Sequence, residues 1–330
     1  MRTTTMANSD HLPAPDITNT TDTAPTRRWW RTPIMGWALT GVVFLTAETV
    51  VMSRWATTDA RWFPSGHHDL SPSGKTTVGA FQALSIAGVI LSVSWPLLQS
   101  VKQRALTIEA MVLIGYLSAF WLMPVVNYNG QTSSQSKYLI GTTDWGPHIP
   151  GWHGPDPETH NQALFVSWFA LAEVMLWVLP TIWILRVAVR RWPYLSGPRL
   201  VLVALAASMV AEVVLEPVMV FLGGYIYVSA VPWLTLFAGH WYQIPLYAMI
   251  IAAIVYGFIP GLMCHYHQHH PHDAPILRGI QALPPVTRPW VATLSVVGMA
   301  QVSFLGLAIS YAAISELAGV PATDLPPHLQ

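Results

Sequence analysis

The chain has 330 residues, 52% apolar and only 10% charged, with a mean hydropathy of +0.42. That charged share is less than half the roughly 25% of soluble domains, and apolar runs of membrane-spanning length recur, so composition excludes an ordinary soluble domain and points to a polytopic α-helical membrane protein. Sixteen Lys and Arg balance sixteen Asp and Glu, which argues against nucleic acid as a partner, and the single Cys264 excludes an internal disulfide or a thiolate cluster.

Residues 1–26 are rich in Thr, Pro and Asp and lack an apolar core, which predicts a disordered tail reaching to residue 33 rather than a cleavable signal. Seven spans are predicted, near residues 34–53, 77–98, 108–126, 162–187, 199–222, 237–262 and 291–313, within an all-α domain over 34–313. A loop over 127–161 separates spans three and four, and residues 314–330 form a C-terminal tail. With the N-terminus inside, twelve Lys and Arg fall on the cytoplasmic side and only Arg54, Arg61, Lys75 and Lys137 on the other. That asymmetry predicts a multi-pass cell-membrane protein with a cytoplasmic N-terminus. Trp29, Trp30, Trp55, Trp192 and Trp290 stand near span ends, where an aromatic belt places them. No lysine follows Lys137, so no retinal Schiff base can form in the later spans.

Carboxyls inside a bilayer are costly and usually face a cavity or a partner. Glu48, Glu109, Glu173, Glu212 and Glu216 are such residues, Glu109 as a dipole-compatible residue at a helix N-terminus. Glu212 and Glu216 are spaced i, i+4, one turn apart on one helix face, and in low dielectric two such carboxyls share a proton rather than both ionising. A protonated acid beside an ionised base suits proton transfer, and Pro217 loosens the backbone beside them. The bland reading is that these groups only specify helix packing. Glu173 is a third candidate, and His240 and Tyr242 are expected in the first turns of span six at the same end.

The 144–155 segment, DWGPHIPGWHGP, holds three prolines, three glycines, two tryptophans and two histidines. Pro fixes φ and Gly permits unusual φ, so the segment is built to keep one shape, as a lid or pocket wall would. Asp144, His148 and His153 supply titratable groups, Asn127, Tyr128 and Tyr138 supply polar ones, and Trp145 and Trp152 supply aromatic faces. Alternatively, the two tryptophans only anchor the loop at headgroup level.

The succession of Asn127-Tyr128, the later Tyr138, Trp145-Gly146-Pro147, then PGWHGP over 150–155 and a following acidic residue resembles the AveC-like spirocyclase family. The similarity is densest over about 109–160 and weaker at the RRWW start and in helix order. The resemblance implies spiroketal formation on a polyketide in actinobacterial (antibiotic-type) secondary metabolism, without a redox cofactor, and in some members an associated dehydration. It carries no assigned catalytic residues. The physical reading therefore stands for the site: Glu212, Glu216 and Glu173, with Asp144 and His148, as acid–base groups, and Asn127, Tyr128, Tyr138, Trp145, Trp152, His153, His240 and Tyr242 around the substrate.

The HYHQHHPH run at 265–272 places His265, His269 and His270 in the H-x3-HH spacing of one di-iron desaturase box. A di-iron site needs several boxes, so the expectation is no bound metal and no cofactor. A metal-dependent lipid hydroxylase or desaturase is the rival reading, and a non-enzymatic carrier of an apolar metabolite is a third. The expected partners are an apolar polyketide substrate and the lipid bilayer.

Overall fold

A computed structural model describes residues 29–64, 70–128, 133–154, 156–269, 274–318, 320–322 and 324–325. The predicted N-terminal tail therefore lies almost wholly outside the described residues. Among the described residues, seven helical spans are long and apolar enough to cross a membrane: α1 (Pro33–Thr58), α2 (Pro72–Gln103), α3 (Ile108–Asn127), α4 (Ala170–Arg191), α5 (Gly197–Phe221), α6 (Leu246–His269) and α7 (Arg288–Ile314). Local chemistry sets several of their starts. Ser71 Oγ accepts from Gly74 N at 3.1 Å and Thr107 Oγ1 from Ala110 N at 3.3 Å, and Pro stands in the first helical turn of α1, α2, α5 and α7.

Small residues let the helices touch backbone to backbone, the contact that replaces a hydrophobic driving force between helices in lipid. A Cβ on Gly41 of α1 would lie 2.2 Å from Leu294 O of α7, and one on Gly298 would lie 2.2 Å from Trp37 O. Gly115 brings α3 against the same helix, 3.1 Å from Val296 O by the same measure. Neither Gly41 nor Gly298 has room for a side chain, so Gly298→Val should force α1 off α7 at a cost of about 1–3 kcal/mol. A clear fall in the Tm of the detergent-solubilised protein would report it.

Two of the seven expected starts move by eight residues or more. The fourth span was expected from residue 162, but Asn161–Ala163 is a strand and Leu164–Trp168 a π-helical turn, so its regular helix starts later. The sixth was expected from 237, yet residues 237–245 form turns and a short strand and α6 begins at Leu246. No charged residue interrupts either segment, and hydropathy does not distinguish a buried strand from a helix. A second π-helical stretch, Ala253–Phe258, interrupts α6, and its backbone carbonyls find partners: Ser208 Oγ donates to Ala253 O at 2.5 Å, and the Tyr116 hydroxyl donates to Val255 O.

The connections after α1, α3 and α5 and the segment after α7 meet at one end of the bundle and knit into a cap with, among the described residues, four two-stranded ladders. β1 (Ser133–Gln135) pairs with β4 (Tyr225–Tyr227), and β2 (Gly141–Thr143) pairs with β3 (Asn161–Ala163). β5 (Ser229–Ala230) pairs with β8 (Val320–Pro321), and β6 (Thr235–Leu236) with β7 (Ile244–Pro245). All four are antiparallel, and the β5–β8 pair weaves the chain after α7 into the cap.

Candidate active site

Beneath the β1–β4 ladder lies a cavity of about 110 Å³, room for several waters or a small ring. Its walls are largely apolar and aromatic, with Phe81, Phe165, Met219 and Tyr256 among them, and its polar groups are few: Asn127, Ser133, Glu173, Glu216, Tyr225, Tyr227 and Tyr311. An apolar pocket with a few converging polar groups is the usual form of a small-molecule site.

Glu216 sits on α5 in the turn before the helix ends. Its Oε1 accepts from the Tyr227 hydroxyl at 2.6 Å and its Oε2 from the Tyr225 hydroxyl. The two tyrosines project from the same face of β4 because strand side chains alternate with a period of two. Burial, with the Glu216 carboxylate beside them, pushes both phenols well above their ordinary values, so both remain protonated donors. Gln243, fully buried, holds the strand in place: its Nε2 donates to Tyr227 O at 2.8 Å and its Oε1 accepts from Gly239 N at 3.1 Å. Gly224, just before β4, leaves space for the Phe81 ring, which a Cβ would approach to 2.0 Å.

Glu173 enters from the first turns of α4. It is 2% exposed, and its Oε1 has no hydrogen-bond partner among the described residues. Gly88 of α2 makes room for it, since a Cβ there would stand 3.0 Å from Glu173 Oε1. Asn127, at the end of α3, accepts from Ser133 Oγ at 3.1 Å, while its buried Nδ2 has no partner among the described residues. Glu212 is fully buried one turn before Glu216 and is not among the lining residues. Its Oε2 accepts from Trp177 Nε1 at 2.5 Å, and Trp177 forms the wall between it and the cavity.

Of the residues expected around the site, Glu173, Glu216 and Asn127 therefore meet at one cavity, with Glu212 behind it. None of the described residues 144–154 lines it. That segment is instead a plug over the neighbouring ends of α1 and α3. Trp145 is fully buried, donates from Nε1 to Trp121 O at 2.8 Å, and packs against Trp55, Phe120 and Trp168 with ring centroids 4.9–5.9 Å apart. Trp152 lies across Gly146 and Gly154, where a Cβ would come within 2.4 and 2.3 Å of its ring. His148 Nε2 meets Asp59 Oδ2 at 2.8 Å, and His153 is exposed. Tyr128 donates to Asn161 O at 2.8 Å, and Tyr138 packs in an apolar cluster with Leu70, Val78 and Phe81. His240 Nδ1 faces Asp324 Oδ2 at 3.0 Å and its ring stacks on Tyr242 at 5.2 Å, in the cap hairpin rather than in a helix.

Asp144 pins the plug. Its Oδ1 accepts from Gly146 N and Gln162 Nε2, both at 2.8 Å. Burial raises its carboxyl to about 6, against the opposing pull of those donors. The folded state thus holds this proton more tightly than the unfolded chain. Its contribution to stability is complete below pH 3.8 and is lost as pH rises through about 6, a change on the order of 3 kcal/mol. Asp144→Asn keeps the acceptor and removes the ionisation, so the difference in Tm between wild type and variant should grow in the variant's favour from pH 4 to pH 7.

The histidine run ends α6 at the opposite end of the bundle. His269 Nδ1 lies 2.9 Å from His265 O, and no group of three or more His, Cys, Asp or Glu among the described residues is arranged to hold a metal ion. His270 and His272 lie outside the described residues.

Sequence reasoning missed Tyr225, Tyr227, Trp177, Tyr256 and Tyr311. The usable signal was the Tyr-Ile-Tyr alternation directly after Gly223-Gly224, a strand pattern at the end of a span that already carries two glutamates.

A family model described as "Spirocyclase AveC-like" matches residues 103–330, more than two thirds of the chain. The RRWW start falls outside that match, whereas every residue lining the cavity except Phe81 falls inside it. No curated protein and no solved structure matches the chain. On the length of the family match, the chain belongs to the AveC-like spirocyclase family.

Proposed function

We propose that this protein is an integral membrane spirocyclase that closes a polyketide-derived dihydroxyketone to a spiroketal with loss of one water and without a cofactor, in antibiotic-type secondary metabolism. It would lie in the cell membrane with its N-terminus in the cytoplasm, the orientation that the distribution of Lys and Arg favours. The observation that carries the reading is the pair of unlike carboxyls on one apolar cavity: Glu216 held by two phenols, and Glu173 with an unpartnered oxygen.

The reaction needs what those two groups differ in. One substrate hydroxyl adds to the ketone to give a hemiketal. The hemiketal hydroxyl then takes a proton and leaves as water, forming an oxocarbenium ion. The second hydroxyl attacks that carbon and gives up its proton, so the net change is dihydroxyketone to spiroketal plus water. Glu173, in an apolar wall with no donor to support a charge, is suited to be the acid that protonates the departing hydroxyl. Glu216, with phenol hydrogens on both oxygens, is suited to remain a carboxylate, stabilise the cation and accept the last proton. Glu212, behind Trp177, belongs to the proton path rather than to the surface that meets substrate. The faces of Trp177, Tyr256 and Phe81 add π density beside the cation.

The test is to incubate membranes carrying the protein with an open-chain dihydroxyketone at neutral pH. A product lighter by one water and formed as a single diastereomer, absent from membranes without the protein, is the expected result. Binding of substrate and product with no turnover would make the protein a carrier and end the enzymatic reading.

A further inference from the structure

No Asp, Glu, Lys or Arg occurs between Pro217 and His272. The connection from α5 to α6, residues 222–245, lies wholly inside that stretch, so four of the eight described cap strands come from a segment without a formal charge. The other cap loops carry Asp59, Arg61, Lys137, Asp156 and Glu158. The uncharged connection also turns large apolar side chains outward: Trp233 is 81% exposed, Phe237 53% and Leu236 47%. Phe237 has φ +55°, a left-handed conformation rare for a bulky residue, and Gly239 follows at φ +87°. The strained turn thus keeps an apolar ring exposed where a polar residue would adopt it more readily. Tyr242, His240 and Asp324 form a polar rim beside it.

We propose that the 232–246 hairpin is a membrane-docking surface that seats in the bilayer interface, with Trp233, Leu236 and Phe237 among the acyl chains. A charge-free segment avoids the cost of desolvating ions there, aromatic and aliphatic side chains gain by burial, and the hairpin runs directly into α6, a span long and apolar enough to cross the bilayer. The cap is then lopsided, with its charged loops in water and this edge in the membrane. Gln243 ties the hairpin to Tyr227, so the tyrosine strand over Glu216 stands at the lipid boundary. Taken with the proposed function, on which this last consequence rests, the placement fits an apolar substrate arriving through the bilayer.

The test uses the full chain in phosphatidylcholine–phosphatidylglycerol vesicles, with an environment-sensitive fluorophore on single cysteines at Trp233→Cys, Leu236→Cys, Phe237→Cys and, as the aqueous reference, Glu158→Cys. The native Cys264 is fully buried, and the unsubstituted protein gives the labelling background. Probes at 233, 236 and 237 should show blue-shifted emission, quenching by lipid-borne nitroxide and protection from aqueous iodide, with the reverse at 158. Iodide quenching at the three hairpin positions equal to that at 158 would overturn the proposal. So would shielding from both quenchers that disappears as protein is diluted into lipid, which would mean a second copy covers the face. Because the readout is depth rather than turnover, it stands or falls separately from the spirocyclase reading.

Discussion

Glu173→Gln and Glu216→Gln should each lower turnover by about 10²–10⁴-fold, the usual contribution of a positioned acid or base. Glutamine keeps the volume of both side chains, so the cavity should persist and substrate should still bind. The two losses should differ in character. In the Glu173 variant no acid protonates the departing hydroxyl, so a substrate whose leaving group is already a good one should recover part of the rate. In the Glu216 variant the cation loses its counter-charge, and such a substrate should not be rescued. Single-turnover rates with the two substrates separate these outcomes, and equal rescue in both variants would show that the roles are wrongly divided. Glu212→Gln should cost less than either, because Trp177 stands between it and the cavity.

The second large effect concerns the tyrosine clamp. Tyr225→Phe and Tyr227→Phe each remove one donor from a buried carboxylate, and a hydrogen bond to a charged group contributes about 1.5–3 kcal/mol. The pair together should therefore lower the Tm of the detergent-solubilised protein markedly, with the loss of activity accompanying it. The decisive comparison is a mutant cycle. If the phenols act on the charge of Glu216, the same substitutions made in a Glu216→Gln background should cost much less, since a neutral amide needs less support. Full additivity would mean that the tyrosines stabilise only the β1–β4 ladder.

The helical architecture was readable because lipid demands runs of about 20 apolar residues, which no other fold element imitates. Carboxyls in such runs are too costly to be incidental, which is why Glu173 and Glu216 could be picked out from type and position. The cap was harder. Residues 237–245 and 162–168 carry no charged residue and run straight into helices, and whether such a run is strand or helix depends on the partner it meets, here β6 with β7 and β2 with β3. The 144–155 segment shows the same limit. Its Pro and Gly content predicted a fixed shape, but composition does not say which helix ends the segment covers. The deciding contact is Trp145 against Trp55, about 90 residues earlier, and nothing local to the loop encodes it. Tyr225 and Tyr227 were missed for a related reason: a tyrosine beside a span usually reads as an interface anchor, and only the fold of β4 turns the pair inward onto Glu216.

The location of the chemistry can be tested without altering any residue. A spiroketal carrying a photoreactive diazirine, irradiated with the protein in membranes and mapped by mass spectrometry, should label residues of the cavity wall such as Phe81, Met219 and Tyr225. Labelling confined to the 144–154 plug or to the histidine run at the far end of α6, with the cavity wall untouched, would contradict it.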